Sequence, residues 1–241
     1  MSGPDAVASV QPEAAGGYKD SLKRLAHRWL EPLVAGLAAL GLKPNHLTVL
    51  GFGLSLAAAS LFALGRFRGA ALLAAAAGLC DILDGELARR GAAATRFGAF
   101  LDSTLDRVGE AALFVGLAWY YTAQLVDMAV NPDRVMANLE HGLEPVTFAA
   151  IAILAVLALA GSFLVSYTRA RAEGLGLECK VGWFERPERL VLLIVAGLFG
   201  LGPVIPGALL VLVVFSFATA IQRMAHVWKL TRSPGSDPSE A

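Results

Sequence analysis

Asp81-Ile82-Leu83-Asp84-Gly85-Glu86-Leu87-Ala88-Arg89, followed after eight residues by Gly98-Ala99-Phe100-Leu101-Asp102-Ser103-Thr104-Leu105-Asp106, puts four aspartates into an otherwise apolar stretch of chain. Ionisable groups inside a membrane-spanning helix are costly and are usually functional. Asp81 and Asp84 are three residues apart and Asp102 and Asp106 four apart, so each pair shares one face of a helix. Two such faces opposed make an oxygen-rich pocket whose like charges cannot all stay ionised without a cation. Hard divalent cations prefer carboxylate oxygen, so Mg²⁺, Mn²⁺ or Ca²⁺ suits the site. The stretch contains no histidine, which argues against zinc.

Working outward, the 241 residues are 56% hydrophobic and only 17% charged, with a mean hydropathy of +0.60. A soluble domain averages about 25% charged. Apolar runs of roughly 20 residues recur, long enough to cross a bilayer. The expected fold is an all-α integral membrane protein with six transmembrane helices near 45–65, 70–89, 96–121, 145–169, 188–202 and 204–228, the fifth being short. Residues 18–232 then form one membrane domain between a disordered N-terminus, 1–17, and a disordered tail, 233–241. Within that domain 18–33 forms a juxtamembrane amphipathic surface helix. Leu22, Leu25, Trp29 and Leu30 lie on one face of it and Lys19, Lys23, Arg24 and Arg28 on the other, a pattern that points to an anionic membrane surface, with a soluble cap on the bundle as the alternative. The N-terminus lacks a basic region followed by an apolar one, so it does not read as a cleaved signal. Cys80 and Cys179 imply no disulfide framework.

Lysine and arginine set the orientation. Sixteen fall on the side that carries both termini, against Arg66, Arg68 and Arg134 on the other. That bias places both termini in the cytoplasm of a multi-pass inner-membrane protein. The second span then descends toward the cytoplasm and the third returns, so the two acidic faces meet at one depth. Asp81 lies roughly 12 Å from Arg89, and Asp106 roughly 15 Å from Arg96, along their helices. The site is expected in the inner leaflet, open to the cytosol.

Gly85 removes a side chain where a ligand approaches the backbone, Ala88 keeps that face narrow, and the guanidinium of Arg89 suits a phosphate. A two-metal site beside such an arginine suggests in-line displacement at phosphorus. A structural charge network, with Arg89 and Arg107 neutralising aspartates, and a cation pathway are the alternatives. Downstream, Ser166-Tyr167-Thr168-Arg169-Ala170-Arg171, the stretch Lys180 to Arg189, and Gln222-Arg223 emerge on the same side as the aspartates. Arg169, Arg171, Arg186, Arg189 and Arg223 can line a second anion pocket for an acceptor that already carries phosphate. Headgroup anchoring explains them equally well, as does pairing of Arg186 and Arg189 with Glu185 and Glu188.

Asp81, Asp84, Gly85, Ala88, Arg89, Gly98, Asp102 and Asp106 match all eight fixed positions of the motif D-x2-D-G-x2-A-R-x8-G-x3-D-x3-D, and on them the chain resembles the CDP-alcohol phosphotransferase family. The likeness covers roughly residues 18–230. It implies displacement of CMP from a CDP-linked alcohol by a second alcohol. It implies Asp81, Asp84, Asp102 and Asp106 as ligands of two Mg²⁺ or Mn²⁺ ions, and Asp106 as the general base. Gly85, Ala88 and Arg89 would contact the nucleotide, joined by Asn45 and Thr48 of Pro44-Asn45-x-x-Thr48. The other role for Asn45 is to cap the first span. The string from Ser166 through Arg189 resembles the branch that uses inositol phosphate, the phosphatidylinositol-phosphate synthases. That likeness implies acceptor contacts from Arg169, Arg171 and Arg223, to which Ser166, Arg186 and Arg189 are added as candidates from their place on the same side. CDP-diacylglycerol and a phosphorylated polyol, inositol 1-phosphate (also called 3-phosphate), are then the expected partners, within the bilayer and without nucleic acid. Glycerol 3-phosphate is the alternative acceptor, cation transport the alternative of another class, and the family habit implies a homodimer. Residues 122–144 form a longer external segment than the family pattern leads one to expect.

Overall fold

The computed structural model describes Glu31–Arg90, Thr95–Asn131, Asp133, Val135–Met136, Glu144–Gly200 and Val204–Arg232. The expectations for 1–17, for most of 18–33 and for 233–241 fall outside these residues. The chain divides into two compact units. In the first, ending at Leu42, residues 31–39 are helical. The second, from Lys43, carries every residue of the candidate site.

That second unit contains α1 (Pro44–Ala63), α2 (Phe67–Arg90), α3 (Arg96–Val130), α4 (Pro145–Glu173), α5 (Arg186–Phe199) and α6 (Val204–Arg232), with no strand among the described residues. Each helix packs chiefly on two others. The contacts run α1 to α2, α2 to α5, α5 to α6, α6 to α4, α4 to α3 and α3 back to α1, closing a ring. All six contribute to one apolar core, through Phe62, Phe67, Phe114, Ala155, Leu193 and Leu209 among others. Small residues let backbones approach, as they do in membrane bundles. At Gly116 an added Cβ would lie 2.3 Å from the Ala59 carbonyl oxygen, so only glycine allows α3 to sit this close to α1.

Four helices, α1, α3, α4 and α6, are long and apolar enough to cross a membrane. The acidic and basic residues from Asp81 onward lower the apolar character of α2. The 14 residues of α5 amount to about 21 Å of helix, short of a hydrocarbon core of roughly 30 Å. α3 runs to Val130, nine residues past its expected end at 121, so much of the supposed external insertion continues that helix. The start of α1 also differs. Pro44 takes the first helical position and Lys43 is the cap, so Asn45 lies inside the helix and does not cap it. Proline is preorganised for that first position and has no N–H to satisfy.

Candidate active site

α2 and α3 bring their acidic faces together beside α1, which packs against both. Asp81, Asp102 and Asp106 each place one carboxylate oxygen within 4.8 Å of the others, a group able to hold a metal ion. Asp84 stands outside this trio. It is buried, and its Oδ2 accepts a hydrogen bond of 2.7 Å from Thr48 Oγ1 on α1. Asp102 Oδ1 is buried and accepts no hydrogen bond among the described residues. An unsatisfied buried oxygen calls for a compensating partner. Here it faces a donor set made only of carboxylates, so the residues present fit a hard divalent cation.

Two clefts open on either side of the cluster, with Asp102 in the wall of both. The first, of about 640 Å³, is lined by Asn45, Thr48, Gly85, Ala88 and Arg89. All five expected nucleotide contacts therefore come together. Gly98 in its wall leaves no room for a side chain. A Cβ there would lie 2.9 Å from Thr95 Oγ1 and 3.0 Å from Asn45 Oδ1. Thr95 caps α3, its Oγ1 accepting from the Gly98 N–H at 2.9 Å. Thr95 was missed in the sequence, although a threonine just before a helical run is an ordinary start signal. Arg89 Nη2 donates to Glu86 at 2.8 Å, and its guanidinium is largely exposed.

The second cleft, of about 740 Å³, has Asp106, Ser166, Arg169, Arg186, Arg189 and Arg223 in its wall. Arg171 is exposed and does not line it. Residues two apart on a helix point to different sides, so Arg169 and Arg171 cannot both face this space from α4. The arginines that do face it have partners the sequence did not foretell. Arg186 Nη1 donates to Asp81 Oδ2 at 2.8 Å and also to Asp106 Oδ2. Arg189 makes a fork with Glu110, Nε to Oε1 at 2.7 Å and Nη2 to Oε2 at 3.0 Å, and both side chains are almost fully buried. Neither pairs as proposed with Glu185 or Glu188. Arg107 donates to the Ser103 carbonyl, and its charge acts on Asp102 without a direct hydrogen bond. Glu110 went unnoticed, yet it stands one turn beyond Asp106 on the same face of α3.

Arg223 is buried, and each of its three guanidinium nitrogens donates a hydrogen bond. Nε donates to the Val181 carbonyl at 2.8 Å, Nη1 to the Val165 carbonyl at 2.6 Å, and Nη2 to Glu185 Oε1 at 3.0 Å. Gly182 has a φ of +136°, and a Cβ there would lie 2.8 Å from Thr219. Only glycine lets the loop before α5 lie down on Arg223. Arg169 reaches Glu173 at 2.9 Å and Glu185 Oε1 at 3.4 Å. Glu185, just ahead of α5, is thus the shared acceptor for two of the expected acceptor-binding arginines.

Comparison with known proteins gives a consistent result. The CDP-alcohol phosphatidyltransferase family profile matches residues 42–222. The chain is 33% identical over 222 residues to the archaetidylinositol phosphate synthase of Methanothermobacter thermautotrophicus, covering 90% of this chain and 98% of the relative. A crystal structure of Mycobacterium tuberculosis phosphatidylinositol phosphate synthase with CDP-DAG bound superposes with a TM-score of 0.69 at 33% identity, over 86% of this chain and 96% of that one. The same enzyme in complex with manganese and citrate gives a TM-score of 0.68 at 33% identity, over 85% and 90%.

Proposed function

Because this chain belongs to the CDP-alcohol phosphatidyltransferase family, we propose that it joins the phosphatidyl group of CDP-diacylglycerol to a phosphorylated polyol, inositol 1-phosphate (3-phosphate), and releases CMP. The observation that carries this reading is one acidic cluster shared by two clefts of different character. One has Arg89 as its single arginine. The other is rich in arginine.

The cytidine nucleotide lies in the first cleft, against Gly85 and Ala88, with Asn45 and Thr48 at its side and Arg89 on a phosphate oxygen. Thr48 also steadies Asp84 through their hydrogen bond. Asp81, Asp84, Asp102 and Asp106 would hold two divalent ions, Mg²⁺ or Mn²⁺, which would supply positive charge to the diphosphate and to the departing CMP. The acceptor enters the second cleft, its phosphate drawn by Arg169, Arg186 and Arg223 with Ser166 alongside. Asp106 lines this cleft and takes the proton of the attacking hydroxyl. The oxygen bonds to the phosphorus that carries the diacylglycerol, the bond from that phosphorus to the CMP oxygen breaks, and CMP leaves with the electron pair. Arg189, committed to Glu110, positions α5 and makes no acceptor contact. Arg171 is left out of the acceptor set.

In this reading α2 and α5 complete six spans, both termini and the clefts face the cytosol, as the lysine and arginine bias supports, and the protein works as a homodimer in the inner membrane. The lipid tails stay in the bilayer while the polar acceptor arrives from water. The test is CMP release from CDP-diacylglycerol by purified protein, with Mg²⁺ and one acceptor at a time. Inositol 1-phosphate is expected to be the best acceptor, ahead of glycerol 3-phosphate, serine and inositol. Faster release with glycerol 3-phosphate would reassign the acceptor. Cation flux without CMP release would remove the reaction altogether.

A further inference from the structure

We propose that Glu185 and Arg186 form an internal plug, filling the metal seat with a guanidinium and the acceptor-phosphate seat with a carboxylate, and that metal binding releases both. The inference rests on the reaction assigned above and concerns how its two sites are coupled. Adjacent residues at the start of α5 reach in opposite directions. Arg186 Nη1 bridges Asp81 Oδ2 and Asp106 Oδ2, two of the three residues that can share an ion. Glu185 Oε1 bridges Arg169 and Arg223 at 3.4 and 3.0 Å. Each half of the dipeptide therefore mimics the charge of the ligand expected at its seat.

The two halves are linked by position. A divalent ion seated between Asp81 and Asp106 competes for the Oδ2 atoms that Arg186 holds and sets its own positive charge against the guanidinium, so it repels Arg186. The freed side chain is already in the wall of the second cleft and one residue from the Glu185 carboxylate. Pairing there draws Glu185 from Arg169 and Arg223, whose forks are then open to an incoming phosphate. Buried Arg189, fixed to Glu110 one turn into α5, holds the helix still while the two side chains exchange. The acceptor seat thus opens when the metal seat is filled. By linkage an anion at the acceptor seat must tighten metal binding by the same factor.

The test uses full-length protein in lipid nanodiscs, with Mn²⁺ followed by the loss of its free-ion resonance signal. Sulfate serves as the anion because it carries the tetrahedral charge without precipitating Mn²⁺. In the wild type, saturating sulfate is expected to tighten Mn²⁺ binding by about 5- to 10-fold, within the usual range of site-to-site coupling. Arg186→Gln is expected to bind Mn²⁺ about tenfold tighter without sulfate, and to lose the sulfate effect to under about twofold. Glu185→Gln is expected to bind sulfate several-fold tighter without metal and to lose the coupling as well. Arg186→Lys, which keeps the charge, should keep Mn²⁺ affinity near that of the wild type and guards against a folding defect. Plain attraction between metal and anion would leave the coupling intact in both glutamine variants, and that result overturns the plug. Mn²⁺ that fails to bind the wild type at all would instead remove the catalytic reading beneath it.

Discussion

Arg189→Met removes one partner of the most deeply buried ion pair described and leaves Glu110 alone in the bundle. Arg189 is 1% exposed and Glu110 6%, and two hydrogen bonds of 2.7 and 3.0 Å join them. Breaking a buried pair from one side costs about 3–5 kcal/mol, because the remaining charge has no compensation. A chain of this size shifts its Tm by roughly 2–4 °C per kcal/mol, which gives a fall of about 6–20 °C. Replacing both partners with apolar residues of similar volume is often neutral or stabilising. Arg189→Met combined with Glu110→Leu should therefore recover most of the loss. The chain carries its own reporter, since Cys80 and Cys179 are free and buried. A thiol-reactive fluorogenic dye will label them only as the protein opens on heating in detergent. A single variant melting within about 2 °C of wild type would refute the argument. So would a double variant no more stable than the single one.

Other outcomes follow from the clefts. Asp106→Asn is expected to abolish CMP release while CDP-diacylglycerol binding, followed by calorimetry, survives. Full turnover in that variant would dismiss Asp106 as the base. Arg169→Ala should raise the acceptor KM about tenfold or more, the scale of a charge-assisted hydrogen bond, with little effect on the KM for the CDP-lipid. Arg171→Ala, whose side chain lies off the cleft, should stay within about twofold of wild type on both, as surface changes usually do. Gly98→Ala puts a methyl group 2.9–3.0 Å from Thr95 and Asn45 and should weaken CMP inhibition several-fold before it affects the acceptor KM.

The acidic motif could be read from spacing because helical periodicity is local. Three- and four-residue intervals fix which carboxylates share a face whatever the rest of the chain does. Gly85, Ala88 and Arg89 of the first cleft belong to that same local pattern, whereas Asn45 and Thr48 came from the family resemblance. Pairing across helices was not. Arg186 meets aspartates 105 and 80 positions earlier in the chain, and Arg189 meets Glu110 79 positions earlier. No periodicity encodes which helix neighbours which in the ring. An arginine bound for a carboxylate looks in sequence like one bound for phosphate, and the nearby Glu185 and Glu188 offered Arg186 and Arg189 local partners other than the distant ones they take. Arg171 differs, because its two-residue offset from Arg169 is by itself enough to keep the two from sharing a face, and its side chain lies off the second cleft. The end of α3 was hidden by polar residues at 122–130, which a helix tolerates and a hydropathy profile does not.

The most direct test of the account is anomalous diffraction from crystals grown with Mn²⁺. A manganese peak within coordination distance of Asp81, Asp102 and Asp106, with Arg186 moved off those oxygens, is the predicted result. Manganese absent from that cluster at saturating concentration, or present with Arg186 still bridging Asp81 and Asp106, would contradict it.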